Sequence, residues 1–518
     1  MKKLKWSAFG LAILAVFGLM GVYAFHNSRD RHPNYALNLD IAAPTGRVSY
    51  RAGFAAIKIT PKLLDTWTDK NHNAIFDPKN DGDTYQDNNK NERFDAVWMA
   101  GFQGSRAADS VHDDLWARAA LFDDGHTRLV IVAVDLIGFS HKNVLNVRQK
   151  LPKKWGITYS VICSTHNHEG PDMIGMWGDS ELKSGVDVEY ERSVEDRVVE
   201  AIGLAVQNAR PAKLRVAQDL TNAQNLTTDT RKPIVKDDGL YLIHAADAAT
   251  DSTLGTLVAW GNHPETLWDQ NLSLTSDFPH YVREGIEKGV YNGQKLAKKG
   301  LGGTVVYATA CVGGLITTDP DLVVNDTFTK KQLQKPTFEK AEAMGKTLAL
   351  LLMQAVEKAE PITGGIRLLA KTFELPLDNS AFKMGIAAGV LDAGYSSWGN
   401  FRTEVAAWTM GNVSFITVPG EIYPEIVNGG IETPQEADFK LKKPVETPAL
   451  RSLMRGKYKV VLGLANDELG YIIPKSEWDV EPPYLYGAKD QLYGEINSIG
   501  PETAPIIHRE LKALLEKL

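Results

Sequence analysis

The sequence predicts an α/β fold in which strands and helices form packed layers. Two observations lead to this class: short β-rich runs alternate with longer segments of helical periodicity, and 43% of the 518 residues are hydrophobic, enough for a large core. The predicted strands are residues 128–135, 159–164, 255–260, 304–308, 413–418 and 459–464. The predicted helices are residues 194–208, 340–358 and 508–517.

Each element is assigned from its own pattern. Residues 128–135 (RLVIVAVD) and 159–164 (YSVICS) are short apolar runs rich in β-branched side chains, which is typical of buried strands. The last helix, residues 508–517, is polar and amphipathic, which places it on the surface with one face inward. Residues 433–448 are rich in Pro and Lys and are predicted to form a loop within the domain, not a linker between domains.

Composition excludes two classes of protein. The net charge of -7 and the pI near 6.0 provide no extended basic field, which argues against nucleic acid as a partner and leaves small molecules open. Cys163 and Cys311 are the two cysteines, so the disulfide framework of a small secreted domain is excluded. Both lie in apolar runs and are predicted to be buried thiols.

The N-terminus has the pattern of an export signal. Three lysines among the first five residues precede an uncharged apolar run from Trp6 to Phe25, which would be about 30 Å long as a helix. A retained membrane anchor and a signal cleaved after Ala24 both fit residues 1–25. In either case the body of the protein is expected outside the cytoplasm, in a periplasmic, extracellular or membrane-anchored location.

An Asp- and Asn-rich segment, residues 69–95, contains an internal repeat. The pattern Asp69, Asn71, Asn73, Asp77 recurs as Asp87, Asn89, Asn91, Asp95. Oxygen side chains at every second position can surround Ca²⁺, which takes six to eight oxygen ligands. The glycine and glutamate of a full EF-hand loop are absent, so two interpretations stay open: a structural calcium site or a polar turn region without metal.

Candidate metal ligands follow three predicted strands. His166 and His168 come directly after residues 159–164, His263 follows residues 255–260, and Glu421 follows residues 413–418. Ligands in α/β proteins gather beyond the carboxyl ends of strands, so these side chains can meet there. Two histidines and one carboxylate would leave Zn²⁺ an open position for water. The alternatives are hydrogen-bonded histidines and, for Glu421, a helix-start carboxylate.

Several motifs resemble the catalytic domain of the neutral, non-lysosomal ceramidases. They are residues 52–61 (AGFAAIKITP), 99–102 (MAGF), 112–119 (HDDLWARA), 165–171 (THNHEGP), 262–264 (NHP), 418–421 (VPGE), 470–472 (GYI) and the stretch from Tyr486 to the C-terminus. Their order and spacing cover nearly the whole chain after residue 50. The resemblance implies a single catalytic domain, residues 50–518, with a layered α-β-β-α sandwich-like fold.

The same resemblance implies site residues and a mechanism. Zinc would be bound by His166, His263, Glu421 and Tyr471, with His168 as an acid or substrate contact; Tyr484 and Tyr486 are alternatives to Tyr471. A zinc-bound hydroxide would attack the carbonyl, the metal and a phenol would stabilise the oxyanion, and a histidine would protonate the leaving group.

Two departures from the family are visible. The family's active-site serine is replaced by Ile316, unless Thr317 takes its place, and the C-terminal immunoglobulin-like domain has no counterpart. A metal-activated water does not need that serine, so hydrolysis is still expected while recognition of a ceramide head group is not secured.

The predicted function is a zinc-dependent hydrolase acting on a lipid-like amide or an ester. Two alternatives stay open: a calcium-stabilised surface binding protein on a degenerate hydrolase fold, and a zinc esterase, lactonase or peptide amidase with a non-lipid substrate.

Overall fold

The computed structural model describes residues 2–518 except 222, 238 and 317–321, with only the main chain described for residues 2–13 and 224. In the described residues the helices are α1 (Lys2–Asn27), α2 (His141–Lys150), α3 (Val188–Asn208), α4 (Phe278–Glu287), α5 (Phe338–Val356), α6 (Ser380–Ala388), α7 (Pro424–Asn428), α8 (Leu450–Leu453), α9 (Tyr493–Ile496) and α10 (Thr503–Leu515).

The strands of the first half are β1 (Asn38–Ile41), β2 (Tyr50–Lys58), β3 (Thr66–Thr68), β4 (Thr84–Gln86), β5 (Ser110–Val111), β6 (Trp116–Asp123), β7 (Arg128–Val134), β8 (Tyr159–Ser164), β9 (Arg210–Asp219), β10 (Thr228–Asp229), β11 (Leu240–Asp247), β12 (Thr253–Trp260) and β13 (Ser273–Leu274). The second half adds β14 (Gly289–Asn292), β15 (Lys295–Lys299), β16 (Thr304–Thr309), β17 (Leu315–Ile316), β18 (Val324–Asn325), β19 (Gln332–Leu333), β20 (Glu360–Pro361), β21 (Ile366–Pro376), β22 (Asn400–Met410), β23 (Val413–Thr417), β24 (Glu421–Ile422), β25 (Tyr458–Leu462) and β26 (Tyr471–Ile472).

Two mixed sheets dominate the fold. The large sheet has the order β16-β12-β11-β9-β2-β6-β7-β8, with β20 also paired to β9, and the small sheet has the order β1-β21-β22-β23-β25. Parallel pairs occur at β12–β16, β7–β8 and β23–β25, and the other pairs of these sheets are antiparallel. The α/β class is therefore confirmed.

The hydrophobic core has three regions: one between the two sheets and one on the outer face of each sheet. Side chains from both sheets, among them Phe54, Ile131, Trp408 and Phe415, form one apolar cluster, so one face of each sheet packs against the other. The opposite face of the large sheet packs against α2 and α3 near β8 and against α4 and α5 near β16. The opposite face of the small sheet packs against α7, α8 and α10. Burying each large apolar side chain contributes about 1.5–3 kcal/mol.

The large sheet curls until its two ends approach each other. Strands β16 and β8 are the two ends of the strand order, yet β16 contacts β6, β7 and β8. The chain leaving β25 lies between them: Gly463 N donates to Thr309 O at the end of β16 (3.0 Å), and Ala465 forms a bridge with Cys163 of β8. The carboxyl ends of β8, β16 and β25 therefore meet at one place.

A buried ion pair ties the two sheets together behind this meeting point. Arg148 of α2 binds both carboxylate oxygens of Glu404 in β22 at 2.7 and 2.8 Å. Tyr159 Oη and Asn466 Nδ2 also donate to Glu404 Oε1, each at 2.8 Å. Burial by itself would raise the pKa of Glu404, but the charge and hydrogen bonds of Arg148 outweigh it and lower the pKa.

The N-terminal helix α1 packs on α6. Tyr23 Oη donates to Ala388 O and Asn27 Nδ2 donates to Ala387 O, each at 3.2 Å. Phe17 and other large apolar side chains between residues 14 and 25 are exposed. In the part of the chain that the structure describes, no helix reaches the length and hydropathy of a membrane-crossing segment. The division into residues 1–25 and 50–518 stays a prediction.

Candidate metal centre

Two features orient His166, which follows the end of β8: its main-chain conformation and a hydrogen bond from its ring to a carbonyl. Its φ of +66° is unusual for a residue with a side chain and turns the chain sharply after the strand. The ring is buried, and its Nδ1 lies 2.8 Å from Ile137 O. Since a carbonyl can only accept, Nδ1 carries the proton and Nε2 presents a lone pair.

His263 follows β12 and is oriented in the same way. Its side chain is 1% exposed, and Nδ1 lies 2.8 Å from Leu315 O, the residue that opens β17. The same reasoning places the proton on Nδ1 and leaves Nε2 as a ligand atom. Carbonyl partners of this kind are the usual outer support of histidines that bind metals.

Glu421 completes a converging set of three ligand atoms. It begins β24, and its main-chain N–H donates to Gly470 O at 3.0 Å. Its Oε2 lies 3.1 Å from His263 Nε2 and 3.2 Å from His166 Nε2. Burial alone would raise the pKa of Glu421, but when no cation is bound and the two imidazoles carry a second proton, their charge and hydrogen bonds outweigh burial and lower the pKa to about 2.

This donor set fits a cation. Two Nε2 atoms whose rings donate through Nδ1 and one carboxylate oxygen all face the same point, and all three are electron-pair donors. Without a cation, the two Nε2 lone pairs would face the carboxylate oxygen of Glu421, an unfavourable contact between acceptors. Each ring would then need a second proton, on Nε2, to donate to that oxygen. Two imidazoles and a carboxylate are a ligand set that zinc accepts.

His168 lies beside this set. Its Nε2 is 3.3 Å from His166 Nε2, and its Nδ1 is 3.3 Å from Glu265 Oε2. His166, His168 and His263 are buried and have ligand atoms within 4.8 Å of one another. Burial and the neighbouring imidazoles lower the pKa of His168 well below its usual value, so the ring is neutral.

Arg106 and Gly101 support His168, a role that no sequence pattern indicated. Arg106 is fully buried and its guanidinium donates to His168 O and to Ala100 O, and one of its nitrogens lies 3.4 Å from Glu169 Oε2. Gly101, with φ of +105°, lies against the ring: a Cβ there would be 2.6 Å from His168 Cγ. These contacts fix the main chain and ring position of His168.

Glu265 is another buried residue of the site. It is 3% exposed, and burial raises the pKa of its carboxyl to about 8. The Glu265–His168 contact therefore pairs a neutral ring with a carboxyl that holds a proton near neutral pH. The only sequence signal for it was the run Asn262-His263-Pro264-Glu265, where just the histidine was selected.

Tyr471 lies next to Glu421, because β24 and β26 pair in parallel with these two residues opposite each other. Burial, followed by the charge of Glu421, raises the pKa of the Tyr471 phenol well above its usual value. The two alternatives lie elsewhere: Tyr486 Oη donates to Glu432 at 2.8 Å, and Tyr484 does not line the cavity described below. Tyr493, whose ring centroid is 5.9 Å from that of Tyr471, is an additional neighbour.

A cavity of about 410 Å³ opens from the metal centre. Its inner end includes His166, His168, Glu421 and Tyr471. The wall is apolar along one stretch, formed by Met173, Ile174, Met176, Trp177, Val186 and Leu391. It continues to residues 27–32, so the chain that follows α1 contributes to the outer wall. A cavity of this size holds a small molecule or one segment of a longer ligand.

The position of the family serine is only partly described. Ile316 lies in β17, paired with Thr228 of β10, and does not line the cavity. Thr317, the predicted substitute for the serine, lies outside the described residues. Leu315, directly before Ile316, contributes the carbonyl that orients His263.

The Asp/Asn-rich segment folds as two equivalent loops joined by β3 and β4, which pair antiparallel. Asp83 accepts from Lys70 N (3.0 Å) and Asp77 N (2.9 Å) of the first loop. Asp65 makes the equivalent bonds to the second loop, including one of 2.8 Å from Asp95 N. The first loop is thus closed by Asp83, which precedes β4, and the second loop by Asp65, which precedes β3. The sequence repeat does not show this arrangement.

The predicted calcium ligands lie in these loops: Asp69, Asn71, Asn73, Asp77, Asp87, Asn89, Asn91 and Asp95. Many of their oxygens are already bonded within the loops. Asp69 accepts from His72 N at 2.7 Å, and Asp95 Oδ2 accepts from the amides of Asn89 and Asn91 at 2.6 Å each. Calcium binding by this segment stays a prediction.

Comparison with known proteins places the fold. No model of a protein family matches the sequence, and no curated protein matches it. The crystal structure of a neutral ceramidase from Pseudomonas aeruginosa is similar, with a TM-score of 0.63 and 15% identity over 91% of this chain and 75% of that chain. A ceramidase complexed with C2 gives a TM-score of 0.64 and 14% identity over 91% and 76%. The predicted resemblance is confirmed in three dimensions: this chain has the fold of the neutral ceramidases.

Proposed function

We propose that this chain is a zinc-dependent hydrolase that cleaves an amide or ester bond. The observation that carries the proposal is the convergence of His166 Nε2, His263 Nε2 and Glu421 Oε2 beside a cavity that is lined by His166 and Glu421. The ceramidase fold supports hydrolysis as the reaction class. Zn²⁺ bound there would lower the pKa of a bound water to about 7 and polarise a substrate carbonyl.

The residues around the ligands can manage protons and orient the substrate. His168 presents Nε2 toward the ligand set while Glu265 contacts its Nδ1, so the pair can hold and pass a proton to a leaving nitrogen or oxygen. Tyr471 is placed beside Glu421, where its phenol can donate to the developing oxyanion. Both groups are buried, which strengthens these interactions relative to water.

The substrate is proposed to be a linear amide with an acyl chain, similar to the N-acyl group of a ceramide. The apolar stretch of the cavity wall, which includes Met173, Ile174 and Trp177, can bury a hydrocarbon chain at about 0.8 kcal/mol per CH₂ group. A metal-activated water also cleaves esters, so a substrate series must contain both bonds.

The protein is proposed to act outside the cytoplasm, exported by residues 1–25 and associated with a membrane if that segment is retained. The lysines before the apolar run Trp6–Phe25 support export. Fractionation of expressing cells, with N-terminal sequencing of the mature chain, separates a cleaved signal from a retained helix.

The central experiment measures zinc per chain and hydrolysis in the same preparations. Wild-type protein is expected to hold close to one zinc and to cleave N-acyl amides; His263→Ala should lose both. The matched control is His126→Ala, which removes an exposed histidine and should retain both. Full turnover by His263→Ala would sink the proposal, and absence of zinc after supplementation would favour the surface binding protein.

A further inference from the structure

Glu468, an acidic side chain in the cavity wall, has no cationic partner among the described residues. The cavity is lined by several charged residues, and those near its outer part are paired: Arg31 with Asp392 at 2.5 Å, and Lys142 with Glu191 at 2.6 Å. Glu468 lines the same cavity and forms no ion pair with any described residue. No cation of the described wall would therefore balance a carboxylate at this position.

The position of Glu468 is close to the metal centre. It lies in the turn between β25 and β26, and its Oε1 accepts from Gly470 N at 3.0 Å. Its side chain covers Gly138: a Cβ there would lie 2.7 Å from Glu468 Cγ. Gly138 follows Ile137, whose carbonyl orients His166, so Glu468 stands beside the His166 side of the site.

The second carboxylate oxygen of Glu468 is available to a ligand. Oε2 is shielded from bulk solvent and has no hydrogen-bond partner among the described residues. Burial, together with the charge of Glu421, raises the pKa of the Glu468 carboxyl well above its usual value, so a cationic donor that binds beside it would stabilise its carboxylate form. An acceptor left unbonded in this way costs free energy that a donor on a bound molecule would recover.

His141 adds a second acceptor to the same wall. Its Nδ1 lies 3.0 Å from Asn466 O and so carries the proton, while Nε2 is buried and finds no partner in the described part of the chain. His141 N donates to Asp467, the residue before Glu468, at 2.9 Å, so the two acceptors belong to adjoining parts of the wall. Two unbonded acceptors on adjoining parts of one wall call for donor groups on a complementary ligand.

We infer that Glu468 and His141 recognise a donor-bearing group on the substrate, an ammonium or hydroxyl on the amine side of the scissile bond, and that they exclude substrates carrying a carboxylate there. This inference rests on the proposed hydrolase function for its substrate series. Glu468 is a specificity-determining residue in this scheme, since it contacts the substrate and takes no part in bond cleavage.

The test compares three amides with one acyl chain: N-dodecanoyl ethylenediamine, N-dodecanoyl ethanolamine and N-dodecanoyl glycine. Wild-type protein should cleave the first two with kcat/KM at least about 10-fold above the third, because a bond to a charged partner is worth about that much or more. Glu468→Gln keeps an oxygen for Gly470 N–H and should reduce the preference to less than about 3-fold. Glu468→Lys should favour the glycine conjugate, and Glu436→Gln, an exposed control, should behave as wild type.

A binding measurement keeps this inference separate from the proposed function. Decylammonium and decyl sulfate are titrated against a bound apolar dye, with thermal melting to check that each variant is folded. Wild-type protein should bind decylammonium at least about 10-fold more tightly, and Glu468→Gln should lose this difference. Equal binding of both probes by wild-type protein overturns the inference. If the protein prefers decylammonium but hydrolyses none of the amides, the role of Glu468 and His141 is supported and the hydrolase function is refuted. If it hydrolyses the amides without a preference among them, the hydrolase function is supported and the role of Glu468 and His141 is refuted.

Discussion

The metal centre and the Asp/Asn-rich segment both collect ligand-type side chains, but they treat them differently. At the metal centre, His166 and His263 use Nδ1 for carbonyls and leave Nε2 facing Glu421. In the Asp/Asn-rich segment, carboxylates such as Asp69 and Asp83 accept hydrogen bonds from the main chain of their own loops. The first arrangement is incomplete without a cation, whereas the second is largely satisfied without one.

This difference shows what separates a preorganised site from a ligand-rich sequence. In a preorganised site, outer contacts already hold the side chains with their ligand atoms facing each other. A cation that enters such a site does not spend binding free energy on rearranging it. A cation entering the Asp/Asn-rich loops would first have to replace bonds such as those from Asn89 and Asn91 to Asp95. Residue type and spacing alone did not distinguish the two cases.

The largest effect is expected when the charge of the metal centre is removed without changing its shape. Glu421→Gln leaves an uncharged amide oxygen toward two imidazoles, so zinc affinity should fall by more than the 10- to 100-fold typical of outer-contact mutations, and hydrolysis should become undetectable. Zinc competition with a chromogenic chelator measures the affinity. Glu436→Gln serves as the exposed control; wild-type affinity in Glu421→Gln would remove this residue from the ligand set.

The next effect concerns the rigid support behind the metal centre. Glu404→Gln leaves Arg148 buried without its countercharge and should lower the free energy of unfolding by about 3–5 kcal/mol at pH 7, measured by denaturant titration. The pKa of Glu404 is lowered by folding, so its contribution is present above the unfolded pKa of about 4.5 and is lost as the pH falls through the folded value.

The difference between wild type and Glu404→Gln should accordingly shrink below about pH 4.5. A difference that stays constant from pH 7 to pH 3 would contradict the assignment of the destabilisation to the carboxylate charge.

A smaller effect separates proton transfer from metal binding at His168. His168→Gln should retain zinc but lower kcat by about 100-fold, the lower range for loss of a general acid or base. Metal content and single-turnover hydrolysis on the same samples give both quantities. Loss of zinc in His168→Gln would instead make this histidine a third metal ligand, as the spacing of the three rings allows.

The smallest effect is expected in the Asp/Asn-rich segment. Asp83→Ala removes two hydrogen bonds to the first loop and should cost about 1–2 kcal/mol of unfolding free energy, with kcat/KM unchanged. Asp65→Ala should cost a similar amount through the second loop, and the exposed Asp490→Ala should cost nothing measurable. A large loss of zinc in Asp83→Ala would show that the two regions are coupled.

The elements of the fold could be predicted because their patterns are local. The predicted strand 159–164 agrees with β8 at both ends, and the predicted helix 340–358 corresponds to α5 with ends shifted by two residues. The predicted strands 413–418 and 459–464 correspond to β23 and β25 within two residues. Hydrophobic periodicity determines such elements before any tertiary contact is known.

The sequence could not predict how the site is assembled. His166 and His263 were expected to meet because both follow strands, yet β8 and β12 lie far apart in the strand order and are brought together by the curl of the sheet. Arg106, Glu265 and Glu468 were missed because single charged residues in polar runs carry no periodic signal. Their roles arise from burial and from partners distant in sequence.

The separation of the ligands along the chain has a consequence for how the protein matures. His263 and Glu421 are 158 residues apart, and Glu421 is held by the strand that begins at Tyr471. Closing loops of this length costs entropy that only the packed sheets repay, so the metal cannot nucleate folding as it does in a zinc finger. A metal bound by these ligands would therefore enter late, after the sheets have packed, so only a folded chain could hold it.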